Sequence, residues 1–327
     1  MLPSDLVPLP RIVLPDERES ATGYLLRASL ANATTLPALW GALGLGRGRA
    51  PRAEHTKMLA WCTQSPADWL SWRVPVAHRV DGQVRLDLFG QHWRLDGHLR
   101  RSRAQHCPVC LRSRKLIPFE WDLLLYCACP AHGVVLQDMC AHCGRSVDLF
   151  RPGWDVCTCR HYLVSKQLVP IVAEAATLQW CEWISHALRP DLHPPPSFAT
   201  PLRQLLAGLS VDGAGRIVLA FGGGQRALAT ARLSASQPWL TPQAVAGVVS
   251  VGIRRLADLA ESRRLPNGRP QPAVEDLIKL AAYGLTSTDR GRAAWLVERI
   301  LGRLKPRRAY RAGPHQLDLF EASGNQG

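Results

Sequence analysis

Eight of the ten cysteines in this 327-residue chain lie between Cys107 and Cys159, and they come in close pairs. That clustering limits the fold more than any other feature. Scattered cysteines would read as core thiols or disulfides; paired ones, in a chain without a secretory signature, read as metal ligands. The first set is Cys107-x2-Cys110, then 18 residues, then Cys129-x2-His132. Each pair can turn two side chains toward one ion from a tight knuckle, which Pro108 and Pro130 stiffen. Thiolate and imidazole suit zinc, and four protein ligands leave no open position for water, so the site is structural. A segment with little core of its own then draws folding energy from the metal.

A second set follows: Cys140-x2-Cys143, thirteen residues, then Cys157-x-Cys159 and His161. Cys159 or His161 could close this quartet, and Cys159 is preferred. The expectation is two zinc ions per chain. A binuclear cluster and an iron–sulfur centre are the rivals; the histidine and the tandem finger spacing argue against iron–sulfur. Cys127, inside the apolar stretch FEWDLLLYCAC, reads as a buried thiol, and Cys62 and Cys181 as core residues among tryptophans. His142, within a knuckle, reads as exposed.

The composition fits a folded chain of two or three domains, with 46% hydrophobic residues. No run approaches the roughly 20 apolar residues of a membrane span, and the first twenty residues lack a charged region followed by an apolar block. A bacterial cytoplasmic, nucleoid-associated location is expected, with no membrane partner. The formal net charge is +14, mostly from arginine, whose planar fork suits phosphate. DNA is therefore an expected partner, although arginine-rich, lysine-poor usage also accompanies a high-GC genome.

Hydropathy patterning predicts a mainly α chain with small β elements. Residues 1–105 form an N-terminal helical domain: Pro-rich to residue 18, helices over Ser20–Asn32 and Thr35–Leu45, a capped helix start at Ser65-Pro66-Ala67-Asp68, and a hairpin or meander over His78–Leu95, where the period falls to two. Residues 106–165 form a tandem zinc-finger module of treble-clef or zinc-ribbon type. Residues 166–235 form a helical connector, in which Val218–Gly224 looks like a strand before a glycine loop but lacks the Lys-Ser/Thr of a phosphate site. Residues 236–310 form a C-terminal helical domain, and 311–327 a flexible tail.

The run Cys107-Pro108-x-Cys110-Leu111, Trp121, Cys129-Pro130-x-His132-Gly133-x2-Leu136, Cys140-x2-Cys143-Gly144, preceded by Arg103, resembles the TniQ family. So does Glu19-Ser20 followed by Tyr24-Leu25-Leu26-Arg27. The resemblance covers residues 10–165. One departure is the basic segment Leu111-Arg-Ser-Arg-Lys115, where the family usually carries an acid. The resemblance implies a non-enzymatic adaptor for target-site selection in DNA transposition. Such proteins bridge target DNA, or an RNA-guided complex, to an AAA+ regulator of the TnsC or TniB type, sometimes as homodimers. The alternative is a stand-alone zinc-containing transcription or excision regulator. A zinc enzyme would need an open metal position and a general base, and neither stands out.

Residues 239–266 resemble a helix-turn-helix of excisionase type. Ser250–Gly252 would turn the chain, and Arg254, Arg255, Arg263 and Arg264 would meet DNA. Residues 299–311 add six cations that could meet phosphates. The tail segment Gln316-Leu317-Asp318-Leu319-Phe320 resembles a sliding-clamp binding peptide, making the clamp a further candidate partner; Leu86-Asp87-Leu88-Phe89 repeats the pattern in a predicted strand.

Overall fold

The computed structural model describes residues 7–45, 51–80, 83–94, 99–100, 103–113, 116–164, 169–223, 240–261 and 273–303. Arg263, Arg264, the cations from Lys305 onward and the clamp-like peptide Gln316–Phe320 lie outside them.

The N-terminal part is built as the sequence directs. Helix α1 (Ala21–Ala31) begins where the Ser20 hydroxyl accepts from the Gly23 amide at 2.9 Å, and α2 (Leu36–Ala42) where Thr35 does the same for Ala38. Helices α3 (Thr56–Thr63) and α4 (Ala67–Trp72) follow. The expected serine cap of α4 is corrected: Pro66 occupies the cap position, and the Ser65 hydroxyl pairs with that of Thr63 at 3.0 Å. The stretch of period two is an antiparallel meander, β1 (Val76–Val80), β2 (Gln83–Leu88) and β3 (Gln91–Arg94). Leu86, Leu88 and Trp93 turn inward to the core, as alternation demands.

The cysteine-rich region that follows has α5 (Pro108–Ser113) and a two-residue hairpin, β4 (Ala128–Cys129) and β5 (Val134–Val135). It is fused to the N-terminal helices. The Ser20 amide donates to the Ile117 carbonyl at 2.8 Å and the Phe119 amide to Arg18 at 3.0 Å. Gly23 allows the approach, since a Cβ there would lie 2.8 Å from Ile117 Cβ. Glu19, fully buried, receives Arg27 through Nε at 2.9 Å and Nη2 at 2.5 Å, while Arg73 Nε donates to its carbonyl at 2.7 Å.

The remaining elements are helices: α6 (Ala175–Leu188), α7 (Thr200–Leu206), α8 (Val211–Gly222), α9 (Pro242–Ala260), α10 (Val274–Tyr283) and α11 (Ser287–Arg303). Helices α8 and α9 pack on each other and on α6, so the segments on either side of residue 236 share one core. Trp180 Nε1 donates to the Leu125 carbonyl at 3.1 Å, and the buried Arg100 reaches both Asp138 (3.2 Å) and the Leu240 carbonyl (3.0 Å), joining this layer to the cysteine module. Among the described residues, no helix is long and apolar enough to cross a membrane.

Two expectations are overturned here. Val218–Gly222 is the end of α8, not a strand, with Ser210 capping the helix and Gly223 ending it at φ 119°. Ser250–Gly252 does not turn: α9 runs unbroken through it, so residues 239–266 do not form the expected helix-turn-helix. The glycine there serves close packing. A Cβ on Gly252 would lie 2.2 Å from the Val218 carbonyl oxygen, and one on Gly222 would lie 2.4 Å from that of Val248. By contrast, nothing lies within 4 Å of a Cβ built on Gly247 in the same helix.

This difference predicts opposite signs for one chemical change. Gly247→Ala should stabilise the fold by about 0.5–1 kcal/mol through helix propensity. Gly252→Ala should destabilise it by about 1–3 kcal/mol by forcing α8 and α9 apart. Urea unfolding of the two variants would decide; equal effects would mean the helices do not meet at Gly252.

Candidate metal centres

Each quartet is assembled from two turns, and the sequence forms those turns locally. Cys107 and Cys110 sit at the start of α5, where the Cys110 amide donates to Cys107 Sγ at 3.4 Å. Cys129 and His132 occupy the β4–β5 turn, closed by the Gly133 amide on the Cys129 carbonyl at 2.9 Å. Gly133 takes φ 65°, and Gly144, after Cys143, takes φ 66°; both knuckles end in a left-handed residue that favours glycine. Cys157 and Cys159 lie in a turn between the bridged residues Val156 and Tyr162.

The ligand atoms converge. Cys110 and Cys129 sulfurs are 3.7 Å apart, and His132 Nδ1 lies 3.5, 3.2 and 3.5 Å from the sulfurs of Cys107, Cys110 and Cys129. In the second quartet, Cys140–Cys159 and Cys143–Cys157 are each 3.8 Å. With metal–sulfur bonds of about 2.3 Å, a tetrahedron has sulfur–sulfur edges of about 3.8 Å, and mixed sulfur–nitrogen edges of about 3.5 Å. The distances match those edges and are far too long for a disulfide; all ten cysteines are free thiols. The residues therefore fit two zinc ions. His161 is not brought into the second quartet: its ring stacks on that of His142 at 3.4 Å, and Cys159 takes the fourth place.

Electrostatics point the same way. Hydrogen bonds from Cys110 and Cys129 push the Cys107 thiol down to about 2, while Cys107 and Cys129 drive the Cys110 thiol up and Cys107 raises Cys129 to about 11. In the second quartet the Arg145 amide and side chain pull Cys143 to about 6, and burial raises Cys140 to about 12. Without a cation each cluster thus holds its charge on few sulfurs. A divalent ion would let all of them ionise.

Several supporting residues carried no signal in the sequence. Gln105, buried beside the first quartet, donates to the carbonyls of Trp121, Leu123 and Tyr126 at 2.8–3.0 Å. The buried Arg151 ties the carbonyls of Asp148 and Trp154 between the two ligand pairs of the second quartet, and burial lowers its pKa to about 10. Burial also lifts the Asp122 carboxyl to about 7, against the pull of Arg151. Cys127 is fully buried with its thiol pushed up by desolvation, in keeping with a core role, and Cys62 and Cys181 are buried.

The expected DNA contacts fare unevenly. Arg254 is exposed and pairs with Glu174 at 3.1 Å. Arg255 is corrected: it is buried, and its Nη1 donates to the Phe221 carbonyl at 2.7 Å near the C-terminus of α8, where a cation suits the helix dipole. It cannot also reach a DNA backbone.

The two cysteine-rich quartets, joined to the N-terminal helical layer by backbone bonds between residues 18–20 and 117–119, fit a zinc-finger-like module. Residues 10–136 match the TniQ family model. The family has a transposition-associated, target-selection role and is non-catalytic. No curated protein matches the chain.

Two predictions follow from the quartets and their surroundings. Purified protein should carry two zinc per chain by elemental analysis, and Cys107→Ser and Cys140→Ser about one each, because each substitution opens a separate site; loss of both ions from either variant would mean a shared cluster. The second concerns pH. Asp122 has an unfolded value near 3.8 and a folded value of about 7, so its contribution to stability is complete below about pH 4 and is lost as pH rises through 7. Asp122→Asn should flatten the fall in urea midpoint between about pH 5.5 and about pH 7.5; an unchanged slope would refute the assignment.

Proposed function

We propose that this chain is a non-catalytic adaptor for target-site selection in DNA transposition, bridging target DNA or a DNA-recognition complex to an AAA+ regulator of the TnsC or TniB type. The observation that carries the reading is the TniQ match over residues 10–136, whose signature acid and arginine, Glu19 and Arg27, close on each other where Glu19 bridges to Pro118. Zinc in the quartets Cys107, Cys110, Cys129, His132 and Cys140, Cys143, Cys157, Cys159 would hold the knuckle surfaces in place. Both quartets use four protein ligands, which suits structural zinc rather than an activated water. The net charge of +14 favours contact with DNA backbone. Arg254 supplies part of that charge, and the segments carrying Arg263 and Arg264 are further candidates. An RNA-guided complex, the sliding clamp and a second copy of the chain are the other partners this reading admits.

The alternative, a stand-alone DNA-binding transcription or excision regulator, leaned on a helix-turn-helix at 239–266, and α9 is continuous where that motif turns. The two readings part in one experiment. Full-length protein is mixed with target-site DNA and the ATP-loaded AAA+ regulator encoded beside the transposase, and complexes are followed by size exclusion. Formation of a complex that needs this chain, together with loss of site-directed insertion when it is deleted, is the expected result. A chain that binds DNA alone, ignores the regulator and alters only transcription would support the alternative.

A further inference from the structure

The solvent face of the meander carries a third cluster of metal-ligating side chains, unrelated to the cysteines. His78 stands on β1, Asp87 on β2 and His92 on β3. In the register, Asp87 is directly opposite both Val76 and His92, and His78 is opposite Arg85, which places His78 diagonally across from Asp87 on the same face. The carboxylate is held between the two rings: His92 Nδ1 lies 2.5 Å from Oδ1, and His78 Nδ1 lies 3.5 Å from Oδ2. One ligand atom from each residue falls within 4.8 Å of the other two.

We propose that His78, Asp87 and His92 form a third metal site, open and exchangeable, for a divalent first-row transition ion. Two imidazoles and one carboxylate are the ligands such ions take in sites that keep free positions. Ligands about 2.1 Å from an ion stand about 3.0–3.4 Å apart, and the two nitrogen–oxygen distances bracket that range. The side chains are 33%, 46% and 64% exposed in the order His78, Asp87, His92, so small rotations suffice to close on an ion. An ordinary hydrogen bond would explain one histidine on the aspartate. It does not explain two, from the two flanking strands, each presenting the same ring nitrogen to a different oxygen. Arg85 and Arg94 form the next cross-strand pair along this face, and their charge weakens cation binding relative to an all-acidic site. The open positions go to water or to an anion. The buried face beneath, with Leu86, Leu88 and Trp93, fixes the strand register and therefore the spacing of the three ligands.

The test uses full-length, zinc-loaded protein and Ni2+ as the probe, followed by calorimetric titration. The parent should bind one Ni2+ beyond its zinc. The double variant His78→Ala/His92→Ala should lose that binding, and Asp87→Asn should weaken it about tenfold or more, with zinc content unchanged in each. Because all three side chains are at the surface, the variants should keep the parent's melting temperature without nickel, and only the parent's should rise when nickel is added. Absence of binding in the parent, or the same isotherm in parent and double variant, would overturn the site. Zinc content is measured in the same samples, so failure of the cysteine quartets is seen separately.

Discussion

Four ligand atoms within 4.8 Å of one another can all be ionised only with something positive among them. Cys110 and Cys129 stand 3.7 Å apart, and Cys140–Cys159 and Cys143–Cys157 3.8 Å apart, too far to bond and too close to remain all ionised. The thiols answer by splitting, Cys107 and Cys143 falling while Cys129 and Cys140 rise. Regular secondary structure does little to hold the surrounding chain. The hairpin β4–β5 is two residues per strand, and the second quartet lies between isolated bridges, Met139 with Ser146 and Val156 with Tyr162. Such short pairings are marginal in water without help. The convergence of ligands is therefore the constraint from which the middle of the molecule takes its shape.

The helical layers on either side are fastened to that middle by buried polar contacts. Glu19, whose backbone bridges to Pro118, is completely enclosed and would be a costly charge were it not met by two nitrogens of Arg27. Arg100 links Asp138, two residues before the second quartet, to Leu240 at the head of α9. Contacts of this kind are poor sources of net stability but severe about geometry, since any other arrangement leaves a charge in a dry place. They explain how three stretches of very different composition come to share one core.

This also accounts for what could and could not be read in advance. The quartets were legible because ligand spacing is local: two residues between partners, then a turn. The helices beginning near Ser20 and Thr35 and the meander were legible for the same reason. The supporting residues were not. An arginine in a sequence reads as solvated, and nothing near Arg151 announces its burial against neighbouring carbonyls, nor near Arg100 or Arg255 that each will be buried against a carbonyl more than a helix away. Gly252 shows the ambiguity most sharply. A glycine beside a serine fits a turn, but it fits a helix crossing equally well, and only the position of Val218 on another helix decides. The error over Arg255 follows from that one, because in an unbroken α9 it lies toward Phe221 on α8, not toward solvent.

The two kinds of metal-ligating cluster differ in what they leave free, and the difference bears on role. Each quartet would spend its four ligands on one ion, so whatever occupied it would act on shape alone. The trio on the meander is at the surface, on a rigid sheet, with fewer protein ligands than any transition ion prefers. An ion held there would keep positions for water or for a donor from elsewhere. Closed sites therefore suit the parts of this chain that must hold a fixed outline, the knuckles built into and after the TniQ match. An open one suits a face that meets something else.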